Sequence, residues 1–277
     1  METFAEYILK EKNLGSKMEI VYYLSKKEGI FFDASVVFKT ELLRMFTNSV
    51  NLQLDTNLLL TANLLVNCKK IEIANDIEKI KSYAKEGAKY LSSIGFDERF
   101  CKICEGINRY QKQEHREPES DVLELVDQFG GMLLDRPERI GIEPDEAIVL
   151  LEYRNLKNVG NVYLYKFIDF VKKMEDIKIK EENDITPLKY LVKLNREASD
   201  VKRFITALIY DYESKVDDAI CKAHSNEFFK IRKNMQKLEE ENPNRSLFSE
   251  ETTRKVIGKL IEENKQNESD KNNKGEE

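Results

Sequence analysis

The chain has 277 residues, of which 35% are charged and 41% hydrophobic, and it carries a formal net charge of −6. That length is enough for one large domain or two modest ones with a buried core, and no run approaches the roughly 20 apolar residues that a membrane-spanning helix needs. The two histidines, His115 and His224, exclude a metal site built from a cluster of imidazoles, and the net acidic charge disfavours nucleic acid as a partner.

The cysteines are expected to be reduced and to form no metal site. No apolar run follows Met1, so we expect no secretion signal and a cytoplasmic location, where thiols stay reduced. Cys101 and Cys104 form a single C-x-x-C pair, whereas zinc sites of this kind usually combine two such pairs or one pair with two histidines. We interpret both as small apolar residues on a helix. A metal site that joins them to Cys68 or His115 is the alternative.

The apolar residues follow a helical period throughout, which predicts an all-α protein without strand pairs. One predicted helix, over 58–66, is apolar on nearly every side, which is typical of the buried centre of a bundle. Pro144 opens a helix after Glu143, since proline is favoured in a first turn. The remaining predicted helices cover residues 4–8, 20–24, 36–46, 77–91, 97–110 and 122–134.

A change in pattern follows Glu175. Residues 177–184 form a polar connector, and Thr186 with Pro187 predicts the start of a second helical block that runs to about Glu241. Its narrow apolar stripe, with Val216 and Phe228 among its members, suits packing on a partner protein or on the chain's own helices. The predicted organisation is an N-terminal helical extension (1–35), a first domain (36–174), a C-terminal helical region (185–262) and a disordered tail (263–277).

Three segments of the first domain resemble the HD-GYP branch of the HD-domain phosphohydrolases. They are residues 62–73 (ANLLVNCKKIEI), 80–91 (IKSYAKEGAKYL) and 126–139 (VDQFGGMLLDRPER). The D-R-P-x-R piece of the third segment is the most specific, and order and spacing agree over roughly half the chain. The resemblance implies an HD-domain-like helical bundle, and in the family this fold holds two or more metal ions that activate water against a phosphodiester.

Most of the family's metal ligands are replaced in this sequence. Val66 and Asn67 stand at the histidine-aspartate pair and Tyr83 at the next histidine, while the early histidine position falls on Lys39 or Thr40. Gly106 and Ile107 take the following histidine pair, so that Asp127 is the one ligand position that keeps its residue. A divalent metal pair needs several anionic or imidazole ligands. We therefore expect no metal, no cofactor and no catalytic residue.

The resulting hypothesis is a catalytically inactive HD-GYP-like protein with a regulatory, signalling or scaffolding role through protein contacts, made mainly by the C-terminal helices. A first alternative is a module that binds a nucleotide or cyclic dinucleotide without hydrolysing it. A second is a residual metal-dependent phosphodiesterase. A homo-oligomer is compatible with all three readings.

Two groups of residues carry the site predictions. We call the first the relic pocket, because the resemblance gathers its members around the former metal site, with Lys70 near a substrate phosphate: Asn67, Lys70, Tyr83, Arg109 and Asp127. The second is a predicted structural charge cluster, in which an arginine forks onto a carboxylate and ties helices together: Asp135, Arg136 and Arg139.

Overall fold

The structure is a computed structural model that describes residues 2–70, 77–107, 115–137, 139–155 and 161–224. Within these ranges, β-type pairing is confined to two isolated bridges, Arg136 with Arg139 and Ile179 with Ile185. The predicted all-α class is therefore confirmed. The HD-domain-like arrangement of the helices stays a prediction.

Four helices account for most of the first 65 residues: α1 (Phe4–Lys10), α2 (Leu14–Glu28), α3 (Ala34–Ser49) and α4 (Thr56–Leu65). Each begins after a polar residue whose side chain accepts a hydrogen bond from a backbone N–H of the first turn, which satisfies a group that the helix leaves unpaired. Residues 59–65 of α4 are all buried, and α4 packs against α1, α2, α3, α6 and α7. The prediction of a central buried helix in this segment is confirmed.

Five helices follow: α5 (Ile77–Ser93), α6 (Glu98–Glu105), α7 (Pro118–Leu133), α8 (Pro144–Asn155) and α9 (Leu164–Asp176). Helix α7 begins at Pro118 rather than at Val122, because proline occupies its first turn and the polar residues Glu119 and Ser120 are buried inside the helix. The first turn of α7 could not be predicted from the apolar periodicity, because Glu119 and Ser120 are polar.

The last described helices are α10 (Pro187–Glu197), α11 (Val201–Ala207) and α12 (Glu213–His224), with a π-helical turn at Leu208–Tyr212. Thr186 caps α10 as predicted, since its Oγ1 accepts a hydrogen bond from the Lys189 N–H at 3.3 Å. The described part of the predicted helical block contains separate helices, because Asp200 caps a new one. Residues 225–241 of the block lie outside the described residues. The polar connector predicted over 177–184 is partly withdrawn from solvent, since Ile177 and Ile179 are both buried.

Contacts divide the chain into two units, residues 1–212 and 213–277. The first unit has an aromatic centre in which Phe46 of α3, Phe129 of α7 and two phenylalanines of α9, Phe167 and Phe170, lie with ring centroids 5.0–5.8 Å apart. This centre holds α3 against α7, and that contact positions the candidate site. The domain boundaries drawn from the sequence stay predictions. None of the helices described is both long and apolar enough to cross a bilayer.

Candidate functional site

The most distinctive polar contact between helices is an ion pair that links α3 to α7. Lys39 Nζ lies 2.7 Å from Asp127 Oδ1, and the side chains of these residues are 7% and 22% exposed. This low exposure withdraws the pair from most of the water that would screen it. Asp127 is the carboxylate that the resemblance marks as a surviving ligand position, and it accepts a hydrogen bond from the ammonium of Lys39.

Two glycines of α7 make room for the lysine stem. A Cβ on Gly130 would lie 2.9 Å from Lys39 Cγ, closer than side chains normally approach. A Cβ on Gly131 would lie 3.1 Å from Arg136 Nη2 and 3.9 Å from Lys39 Nζ. The glycine pair therefore serves close packing of α3 on α7, and it brings two cationic groups beside one stretch of bare backbone.

A second polar link holds α3 next to α4 one residue further along. Asn63 Nδ2 donates to Thr40 Oγ1 at 2.8 Å, and that hydroxyl donates to the Val36 carbonyl at 2.8 Å. Asn63 and Thr40 are both buried. Each buried polar group shown here has a partner, as stability requires, and the link fixes the rotation of α3 that points Lys39 at α7.

The other described members of the relic pocket lie outside α3 and α7. Asn67 and Lys70 lie in the turn after α4, where the Lys70 N–H donates to the Asn67 carbonyl at 2.7 Å. Asn67 is buried, Lys70 is half-buried, and Tyr83 is buried on α5. Arg109 lies outside the described residues. Asp127 makes a charged contact across helices, with Lys39.

Three cysteines, in the turn after α4 and on α6, are buried free thiols: Cys68, Cys101 and Cys104. Burial raises the pKa of Cys68 to about 12, and it also raises the pKa of Cys101 and of Cys104. Thiolate is the form that binds metals and attacks electrophiles, so this environment favours the inert thiol. Among the described residues, no group of three or more His, Cys, Asp or Glu side chains is placed to hold a metal ion.

In the predicted charge cluster, the side chains of Asp135 and Arg139 have different partners. Asp135 accepts a two-pronged bond from Arg196 of α10, with Nε to Oδ2 and Nη2 to Oδ1 both at 2.9 Å. Arg139 instead donates to the main chain, reaching the Gly131 carbonyl at 2.5 Å and the Met132 carbonyl at 3.0 Å. These are carbonyls of the last turn of α7, so Arg139 caps that helix. Arg136 is exposed.

The backbone after α7 is held to the same cluster. The Gly141 N–H donates to Asp135 Oδ1 at 2.7 Å, and a Cβ on Gly141 would overlap the Leu133 carbonyl oxygen. The Arg196 contact, together with this bond, holds the pKa of the Asp135 carboxyl below its usual range. The D-R-P-x-R segment is therefore placed by charge-assisted hydrogen bonds and by a glycine without space for a side chain.

A further charged network, at the start of α7, escaped the sequence analysis. Arg116 donates to Asp121 Oδ1 at 2.7 Å and to the Gly106 carbonyl at 3.0 Å, and it also pairs with Glu124. Arg99 of α6 donates to Glu119 at 2.7 Å. The alternation of acids over residues 117–124, with an arginine just before them, was the available signal.

No family model, no curated protein and no solved structure matches the chain.

Proposed function

We propose that the chain is a catalytically inactive relative of the HD-GYP phosphohydrolases that acts through protein contacts. The observation that carries the proposal is the ion pair of Lys39 and Asp127, with 2.7 Å between Nζ and Oδ1. Lysine stands at one of the two residues that fit the family's early histidine position. Asp127 stands at its late aspartate position.

The charge balance supports this reading. A divalent ion at Asp127 would have to displace the Lys39 ammonium or lie beside it, and either arrangement is costly in a site withdrawn from water. The remaining ligand positions are filled by Val66, Asn67, Tyr83, Gly106 and Ile107, of which valine, glycine and isoleucine have no side-chain donor atom. A metal ion in the family lowers the pKa of its bound water, and these residues offer no substitute for that effect.

Metal analysis and hydrolysis assays test the inactive state. Protein purified without chelator is expected to carry far less than one iron or manganese ion per chain, and to leave cyclic dinucleotides intact when Mn²⁺ is added. Near-stoichiometric metal together with hydrolysis that Asp127→Ala abolishes would contradict the proposal and establish the phosphodiesterase.

Affinity capture from the native host tests the protein-contact part. We expect the full chain to retain a defined partner, and a chain that ends after Tyr212 to lose it, since the proposal places the contact in the part of the C-terminal helical region that follows Tyr212. The Asp127→Ala variant of the full chain is the matched control and should retain the partner. Equal capture by the shortened chain would place the contact in the first unit instead.

A second candidate function is nucleotide binding, and one observation favours it. The Lys39 ammonium has three hydrogens, and the acceptor shown for it is Asp127. Arg136 Nη2 and Lys39 Nζ lie 3.1 Å and 3.9 Å from the same point beside Gly131. Two cations around bare backbone suit a phosphate group.

Thermal shift with cyclic dinucleotides and mononucleotides tests this second candidate. A ligand at one hundred times its dissociation constant stabilises a protein by about 2.7 kcal/mol, which is readily seen as a higher Tm. Stabilisation that Arg136→Met removes would support binding at this site. An unchanged Tm at millimolar ligand would rule it out.

A further inference from the structure

Lys17 of α2 is a fully buried lysine that fastens three helices together. It is 0% exposed. Its Nζ donates to the Ile8 carbonyl in the last turn of α1 and to Thr61 Oγ1 on α4, both at 2.6 Å. A lysine without any exposed surface is rare unless it is paired with a carboxylate. Both partners of Lys17 are neutral oxygen atoms.

The two acceptors around the Lys17 side chain can be satisfied by a neutral amine as well as by an ammonium. Thr61 Oγ1 donates its own hydrogen to the Asn57 carbonyl at 2.8 Å, so it accepts from Lys17. The Ile8 carbonyl can only accept. Two acceptors use the two hydrogens of a neutral amine, whereas the third hydrogen of an ammonium finds no acceptor among the described residues.

The charges around Lys17 are distant. Glu11, just after α1, and Asp55, which caps α4, favour the ammonium, but burial outweighs them and lowers the Lys17 pKa to about 8. Neither carboxylate is within ion-pair distance of Lys17. The other charged groups of the adjoining elements are exposed: Glu6 and Lys10 on α1, Glu19, Lys26, Lys27 and Glu28 on α2, and Lys202 and Arg203 on α11.

Helix α1 is the element whose position depends on this contact. It has seven residues, too few to be stable as an isolated helix. Ile8 is fully buried, and Asn57 Nδ2 donates to the Leu9 carbonyl at 2.6 Å. If α1 left α2 and α4, Lys17 would lose one acceptor and meet water.

We infer that Lys17 is a proton-sensitive clasp, so that α1 docks on α2 and α4 more firmly when Lys17 is a neutral amine than when it is an ammonium. In the undocked state the lysine regains its ordinary pKa of 10.5, whereas in the docked state the pKa is about 8. Between these values the undocked state binds more protons, so docking strengthens as the pH rises. Below about pH 8 both states are protonated, and docking is at its weakest.

Hydrogen exchange measured by mass spectrometry on the full chain tests the clasp. Protection factors, corrected for the intrinsic exchange rate at each pH, are compared for the peptide that contains α1 and the peptide that contains α3. From pH 8 to 10 the protection of α1 relative to α3 should rise by up to about tenfold per pH unit.

Two variants separate the clasp from ordinary packing. Lys17→Met fills the same space without a titrating group, and Lys17→Arg keeps its charge at every pH used, so both should abolish the rise. A wild-type ratio that does not change with pH, or a rise that persists in Lys17→Met, would overturn the inference. If neither variant folds, direct NMR titration of the Lys17 side chain decides, because an ordinary pKa near 10.5 excludes the clasp and a value near 8 supports it.

Discussion

Substitutions at Lys39 and Asp127 measure how much one largely buried ion pair contributes to the free energy of unfolding. Lys39→Met removes the ammonium beside a carboxylate that is mostly buried, and we expect a loss of about 2–3 kcal/mol in the free energy of unfolding, somewhat below the cost for fully buried pairs. The double variant Lys39→Met with Asp127→Leu should cost less than the sum of the two single changes. Urea unfolding measures all three.

The matched control is Lys189, whose Nζ lies 2.8 Å from Glu143 with both side chains about half exposed or more. Lys189→Met should change the free energy of unfolding by less than about 0.5 kcal/mol, because exposed pairs contribute little. If Lys39→Met costs no more than this control, the α3–α7 pair is not withdrawn from water in the way its geometry indicates.

The three buried thiols give the second residue-scale prediction. Because burial raises the pKa of Cys68 to about 12, iodoacetamide at pH 8 should alkylate Cys68 at least about 100-fold more slowly in the folded protein than in urea. The folded thiols hold protons that unfolded thiols release above about pH 9, so these groups make stability fall as the pH rises beyond that value. Peptide mass spectrometry locates each modified cysteine, and fast labelling of Cys68 in folded protein would refute the assignment.

At the scale of elements, the α3–α7 contact depends on Gly130. A Cβ there would lie 2.9 Å from Lys39 Cγ, so we expect Gly130→Ala to cost about 1–3 kcal/mol despite the better helix propensity of alanine. Gly87 of α5 is the control, since its Cβ would lie an ordinary 3.5 Å from Cys68 Sγ. Gly87→Ala should stabilise the protein by up to about 1 kcal/mol. Thermal unfolding distinguishes the two signs.

The end of α7 provides a second element-scale comparison between two arginines of one motif. Arg139→Met removes the donors to the Gly131 and Met132 carbonyls, and we expect a loss of about 1–3 kcal/mol because these bonds involve a charged donor. Arg136 is exposed, so Arg136→Met should remain within about 0.5 kcal/mol of the parent. Equal effects in denaturant unfolding would show that Arg139 does not cap the helix.

At the scale of the whole molecule, the division after Tyr212 predicts that the first unit is self-sufficient. A chain that ends at Tyr212 is expected to keep a cooperative thermal transition and the helical circular dichroism of residues 2–212, because the aromatic centre around Phe167 lies entirely within it. A broad, non-cooperative transition would contradict this and would also remove the shortened chain as a reagent for the capture experiment.

Much of this architecture follows from local pattern. Thr186 at a cap, Pro144 in a first turn and the apolar run over 58–66 each predict an element that the structure contains, since capping and periodicity act within a few residues. The start of α7 was missed because Glu119 and Ser120 are polar yet buried, and their partners lie on other elements.

The candidate site is less accessible to such reasoning. Lys39 and Asp127 are separated by 88 positions, and Lys17 and Thr61 by 44. A lone lysine on a helix ordinarily indicates a solvated face, and no periodicity reveals that it points inward. The resemblance assigns Lys39 or Thr40 to the family's early histidine position, but it does not predict that Lys39 pairs with Asp127.

Gly141 has a consequence for the natural history of the chain. A side chain at this position would overlap the Leu133 carbonyl oxygen, and no repacking of a neighbouring side chain relieves a clash with backbone. As orthologous sequences diverge, codon 141 should therefore stay under purifying selection for glycine, while the exposed neighbour Ile140 drifts freely.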